Sequence, residues 1–144
     1  MTGETELSAL LAGMTPEWRP GRFVFATALE IPAGARPVVT VVEDEGITLV
    51  LPQDDADRLG LTYDYVAAMI TLRVHSALEA VGLTAAVAAA LAAAGMSCNV
   101  VAGYFHDHLF VPIERGAEAV ALLRQLSGTG GMPPPAGDAG SLPE

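Results

Sequence analysis

Apolar and polar positions alternate along residues 69–75, MITLRVH, with side chains that favour extended backbone, so this stretch is expected to be a β-strand. Further on the period changes. Leu83, Val87 and Leu91 recur at i, i+4 and i+8, Ala90 and Ala94 fill the same stripe, and the surrounding run is so rich in alanine that intrinsic propensity agrees with the pattern. A helix is expected there, closed by Gly95 in a left-handed conformation past its last turn. Residues 98–105 and 108–113 read as two more strands joined by a tight turn. Residues 115–126 read as a second helix, with Ala119, Leu122, Leu123 and Leu126 on its apolar face. Strand, helix, strand, strand, helix is the beginning of a βαββαβ ferredoxin-like unit.

The preceding half carries weaker but similar signals. Residues 4–13 read as a short helix with Leu7, Leu10 and Leu11 on one side, ended at Thr15-Pro16 because proline disfavours helix at the residue before it. Residues 23–29 alternate as a strand. Residues 31–37, with Pro32, Gly34 and Pro37, read as a loop. Residues 38–42 and 47–51 read as a hairpin around Glu43-Asp44-Glu45-Gly46. A short helix follows over 53–59, with Asp54 and Asp55 at its positive end. Residues 61–68 contain neither proline nor glycine, so the two halves are expected to pack as one rigid body. Trp18, between two prolines, is expected to be a packing anchor. The expected class is therefore α+β, with antiparallel sheets covered by helices on one face.

Composition narrows the function classes. With 51% hydrophobic residues, the chain's 144 residues can fill a core. No apolar run reads as a membrane span, and the acidic N-terminal stretch does not read as a signal peptide. A single cysteine cannot form an internal disulfide, which points to a reducing cytoplasm. The net charge is −10 and the seven basic residues are all arginine, so nucleic acid is a disfavoured partner. Residues 128–144, GTGGMPPPAGDAGSLPE, hold too little apolar surface to offset the entropy of ordering and are expected to be disordered.

Three stretches, VHSALEAVGL (74–83), AGMSCNVVAGYF (94–105) and DHLFVP (107–112), resemble ACT domains, small amino-acid-sensing modules. They are most similar to those of the CASTOR-type arginine sensors and of small bacterial ACT proteins of unassigned function. MTPEWRPGRFVF (14–25) and EGITLVL (45–51) extend the resemblance to the N-terminal half, so that it spans about residues 4–126. It implies two ACT modules in tandem: an N-terminal one over 1–65, reduced or permuted, and a C-terminal one over 66–127. It also implies a non-enzymatic protein that senses a free amino acid or related metabolite. Such a protein needs an unidentified effector protein to act upon and has edge strands that could pair in a homodimer. The alternative is an ACT scaffold without ligand that serves as a partner subunit.

Two candidate binding stretches follow. Around Ser76, Val81, Gly82 and Leu83 a helix begins, leaving backbone N–H groups unpaired at the positive end of the helix dipole, where a carboxylate can be received without a basic side chain. In ACT sensors the ligand lies at this loop, between modules. The plainer reading is that Gly82 only relieves crowding where helix meets sheet. The second stretch is Gly103, Tyr104, Phe105 and Asp107, which the resemblance casts as an aromatic wall and an aspartate facing the ligand's cationic end. Here the chain departs from the sensors, with Ala102-Gly103 where they carry a hydroxyl and more polar neighbours. Asp107 is otherwise an ordinary hairpin residue. His106 and His108, two apart, could begin a zinc site, but no further ligand set is visible in the sequence, and no metal or cofactor is expected. Cys98 within an apolar strand, and Ser76 beside His75 without a third partner, do not make a catalytic set.

Overall fold

The computed structural model describes residues 3–74 and 82–128. The elements run α1 (Gly3–Ala12), β1 (Thr15–Trp18), β2 (Phe23–Ala28), β3 (Val39–Glu43), β4 (Gly46–Pro52), α2 (Gln53–Arg58), β5 (Val66–Arg73), α3 (Leu83–Ala93), β6 (Asn99–Ala102), β7 (Asp107–Pro112) and α4 (Gly116–Ser127), the last entered through a 3-10 turn at Ile113–Arg115. The seven strands form one antiparallel sheet in the order β3-β4-β2-β5-β7-β6, with β1 also paired to β5.

β1 and β2 share one edge of β5. Thr15–Trp18 pair with Arg73–Ile70, whereas only Phe23 and Val24 pair, with Ala67 and Val66, before β2 diverges to run along β4. The order β3-β4-β2-β5 repeats as β6-β7-β5-β1, each a second-third-first-fourth arrangement. β5 is thus the fourth strand of one ferredoxin-like unit and the first strand of the next. The N-terminal unit is reduced, because no helix lies between β2 and β3. The permutation falls on the C-terminal unit, whose fourth strand is β1 from the start of the chain.

Alternation along β5 divides the core in two. Ala68, Ile70, Leu72 and Val74 face α1, α3 and α4 and pack with Leu83, Val87, Leu91, Leu109, Val111, Ala119 and Leu123. The same face continues over β2 and β4 under α2, where Val24, Leu49, Leu51 and Ala56 are buried. Ala67 and Met69 point the other way, into a cluster with Phe23, Val50 and Phe110. β2 and β7 flank β5 and would stand roughly 10 Å apart in a flat sheet. The Phe25 and Phe110 rings nevertheless meet edge to face at 5.5 Å, in the same cluster as the small side chain of Ala67.

Most expected elements are present, with corrections at the edges. The α3 stripe of Leu83, Val87 and Leu91 is buried, and Gly95 has φ +73°. β5 begins at Val66, three positions before the expected start. β6 ends at Ala102, so Tyr104 and Phe105 belong to the turn. Asp107, expected in that turn, is the first residue of β7. β1, where only a helix stop and a tryptophan were expected, is a strand. The tail over 128–144 lies outside the described residues except for Gly128, which closes α4 with φ +82°.

Candidate functional site

Of the two stretches singled out in the sequence, the one that ends at Asp107 can be placed on the sheet. β7 runs antiparallel to β5, which sets Asp107 opposite Leu72, near the end of β5 from which the chain leads toward α3. Leu72, Leu109 and Val111 lie on the helix-covered face, and alternation places Asp107 on that face too. Its neighbour on β6 is Ala102. Gly82, with φ +103°, is the N-cap of α3 and makes no side-chain cap hydrogen bond; no acidic residue stands in the first turn. The N–H groups of that turn therefore lack an anionic partner from the helix itself. Ser76 and Val81 lie outside the described residues. Leu83 is buried in the core below the helix start.

Two features bear on access. A Cβ built on Gly82 would sit 3.5 Å from Leu7 Cδ1, so α1 lies against the start of α3. At the other stretch, Tyr104 and Phe105 are 81% and 75% exposed and pack edge to face on each other, at 5.0 Å. Within a single chain they stand out from the hairpin. The hairpin is closed by Gly103 N–H donating to the His106 carbonyl at 2.8 Å, and a Cβ at position 103 would stand 2.8 Å from that same oxygen, closer than real Cβ contacts come.

The opposite face of this sheet end carries a polar set that the sequence reading did not assemble. Glu17 of β1 stands opposite Thr71 of β5, which stands opposite His108 of β7. Arg19 Nη1 donates to Thr71 Oγ1 at 3.4 Å, and Thr71 Oγ1 lies 3.0 Å from His108 Nδ1. Arg73 pairs with Glu17 and also reaches His106 Nε2 at 3.3 Å. Thr71 is fully buried beneath these side chains. Burial, and then the nearby His106 and Arg19, hold His108 below its ordinary pKa, which favours the neutral ring. The signal that could have found this set is the i, i+2 spacing of Glu17/Arg19, Thr71/Arg73 and His106/His108, the spacing of residues on one face of extended backbone, although Arg19 and His106 stand just outside β1 and β7.

Neither histidine belongs to a metal cluster: among the described residues no group of three His, Cys, Asp or Glu side chains could hold an ion. Cys98 packs against the core, and burial pushes its thiol up, away from the thiolate that a nucleophile needs. Among the described residues no helix is long and apolar enough to cross a membrane.

Comparison with known proteins adds identity to this geometry. Residues 2–68 match one ACT-domain family and residues 65–125 a second. The chain is 43% identical to a Vibrio cholerae protein of unknown function described as a possible transport protein, with a TM-score of 0.80 over 88% of this chain and 99% of that one. The fold is similar to that of an Agrobacterium tumefaciens protein at 20% identity, TM-score 0.62, over 79% of this chain and 89% of that one. It is also similar to the ligand-free regulatory subunit of aspartate kinase from Thermus thermophilus at 10% identity, TM-score 0.59, over 77% of this chain and 95% of that one. No curated protein matches the sequence.

Proposed function

The chain belongs to the ACT-domain proteins and carries two ACT domains in tandem, and from that premise we propose that it is a non-enzymatic cytoplasmic sensor of a free amino acid or related small metabolite. What supports this reading is a start of α3 at Gly82 with no acidic residue in its first turn, and a carboxylate, Asp107, at the head of β7 on the helix-covered face of the sheet. The α3 N–H groups would receive the ligand's α-carboxylate, with Ser76, Val81 and Leu83 around it. Asp107 would meet a cationic far end, as in the CASTOR-type sensors. Gly103, Tyr104 and Phe105 would complete the wall when a second ACT pair, in a homodimer, covers the exposed hairpin. The signal would pass to an effector protein.

Thermal shift against the twenty amino acids tests this. A ligand held at 100 times its Kd adds ~2.7 kcal/mol, a clear rise in Tm. For a cationic ligand, Asp107→Ala should cost ~2–5 kcal/mol of binding by calorimetry, whereas an apolar ligand should be nearly indifferent to it. Full affinity in Asp107→Ala for a basic amino acid would place the pocket elsewhere.

A second possibility, an interaction scaffold without ligand, has one observation in its favour: Leu7 packs where a ligand would approach Gly82. If it is correct, none of the twenty amino acids shifts Tm, and Leu7→Ala does not open a response to any of them.

A further inference from the structure

β3 and β6 are the two edges of the sheet and hold the same place in their units, yet they are finished differently. β6 is four residues long, and its valines, Val100 and Val101, are half-buried against the two core clusters. β3 pairs with β4 along all five of its residues, and no strand among the described residues pairs with its outer side. α3 lies between β5 and β6, but no helix lies between β2 and β3. Val42 is 84% exposed and Val41 46%, although neighbours in a strand point to opposite faces. Of the seven large hydrophobic side chains exposed among the described residues, five fall within 29–42, in the segment that leads into β3 and forms it. The strand also lacks the usual safeguards of an open edge. Its sequence, VTVVE, holds no proline, glycine or lysine, and its one charge is at the last position.

From this edge we infer that two copies of the chain pair through β3, antiparallel and about a two-fold axis. A strand is the occupant that fits, because it satisfies the outward main-chain groups and flanks Val41 on one face and Val42 on the other. A second copy is the strand that fits, because the charges at the two ends of β3 are opposite in sign. Arg36 precedes the strand, whereas Glu43 ends it and Asp44 and Glu45 form the hairpin tip; all four are exposed. An antiparallel copy reverses the strand direction, so each Arg36 comes toward the acidic tip of the other copy, twice by symmetry. A parallel copy would bring acid to acid. With the axis at Val41, the middle residue, Val41 meets its own counterpart and each Val42 meets Thr40 of the other copy, pairs of β-branched side chains that suit neighbouring strands. The Tyr104–Phe105 hairpin is at the opposite edge, so this contact neither uses nor blocks it and does not depend on the amino-acid reading.

The test is sedimentation of the full chain over a concentration series. The wild type should self-associate, and Val42→Lys, which sets a charge on the open edge, should weaken that association roughly tenfold or more. Arg36→Glu, acidic at both ends of β3, and the double variant Asp44→Arg/Glu45→Arg, with basic groups at both ends, should each self-associate more weakly than the wild type. Mixed in equal amounts, these two should recover the wild-type strength, because each end of one then meets the opposite charge on the other. The recovery should fade as salt is raised. Slowed amide exchange in β3 on association, with β6 unchanged, locates the contact. A wild type that stays monomeric at millimolar concentration overturns the inference and leaves β3 to a strand of another protein. Association that survives Val42→Lys, or charge variants that do not recover on mixing, overturns it as well. If Val42→Lys fails to fold, the mixing experiment still decides.

Discussion

At the scale of single residues, two glycines show how closely this chain is fitted. Gly116, at the head of α4, is pressed by the Trp18 indole: a Cβ there would stand 2.4 Å from Trp18 Cη2. Trp18 is held in register by β1 and cannot swing away without leaving the sheet. Gly116→Ala should therefore destabilise by about 1–3 kcal/mol in urea unfolding, the usual cost of overpacking. Trp18→Phe should restore part of the loss, a coupling that a double-mutant cycle would read. If the two changes add independently, the contact is not what constrains Gly116. Gly82 is a conformational case, because φ +103° is a region that side-chain-bearing residues rarely adopt. Gly82→Ala should cost ~1–3 kcal/mol by the same assay whether or not a ligand binds. This glycine was visible in the sequence as a helix-start residue, but its sign of φ and its neighbour Leu7 were not, since α1 is about 75 positions away in sequence. Asp107 was legible as a candidate only through the family resemblance. The Arg19–Thr71–His108 row was not seen at all, because its members come from three strands whose pairing no local pattern encodes.

At the scale of elements, helices and strands with a clean period were readable and those set by tertiary pairing were not. The 3.6-residue stripe of α3 and the alternation of β5 act locally, and both are present. β1 holds a proline and is only four residues long, so its sequence, TPEW, carries no strand signal; it is extended because β5 offers it an edge and Pro16 and Trp18 face the core side. The end of α3 shows another tertiary effect. Arg115 donates from Nη2 to the Ala94 carbonyl at 2.9 Å and from Nη1 to that of Gly95 at 3.1 Å, while Glu118 accepts from its Nε and Nη2. A cation is thereby placed at the negative end of α3. Arg115→Met should speed amide exchange in the last turn of α3 more than in its first turn; equal protection in both would rule out the capping role. The hydrogen bond from Arg115 keeps the Glu118 carboxyl below its ordinary pKa. That contribution is present above the unfolded pKa and lost as pH falls through the folded one. His108 gives a second, higher window. Burial holds its folded pKa below the ordinary 6.5, so its contribution is complete above about pH 6.5 and declines as pH falls through the folded value. The urea midpoint should fall between pH 7 and pH 5, and His108→Gln should flatten that fall. A wild-type slope unchanged by the substitution would show that other groups carry it.

At the scale of the whole molecule, the two ACT units are interlocked through β5. Ala67 and Val66 pair with β2, Ile70–Arg73 pair with β1, and the other edge of the same strand is occupied by β7 over Ala67–Leu72. Removing β5 from the first unit exposes the edge of β2; removing the N-terminal segment from the second exposes the opposite edge of β5 and uncovers Trp18's seat on Gly116. The Phe23, Phe25 and Phe110 contacts join the two units a second time on the sheet's other face. A division of the chain at residues 65/66 would cut between Tyr65, which packs into the cluster that β2, β4, β5 and β7 share, and Val66, which packs against the β2–β4–α2 cluster. Two consequences can be measured. The intact chain should unfold in one cooperative step, with calorimetric and van't Hoff enthalpies in agreement. Residues 1–65 and 66–128 expressed separately should each lack dispersed amide spectra, and mixing the two should restore native dispersion, since every strand then regains its neighbours. Independent folding of either fragment, or two separate transitions in the intact chain, would mean that the shared strand is a seam between autonomous domains, and a ligand bound at one ACT unit would then have no direct route through β5 to the other.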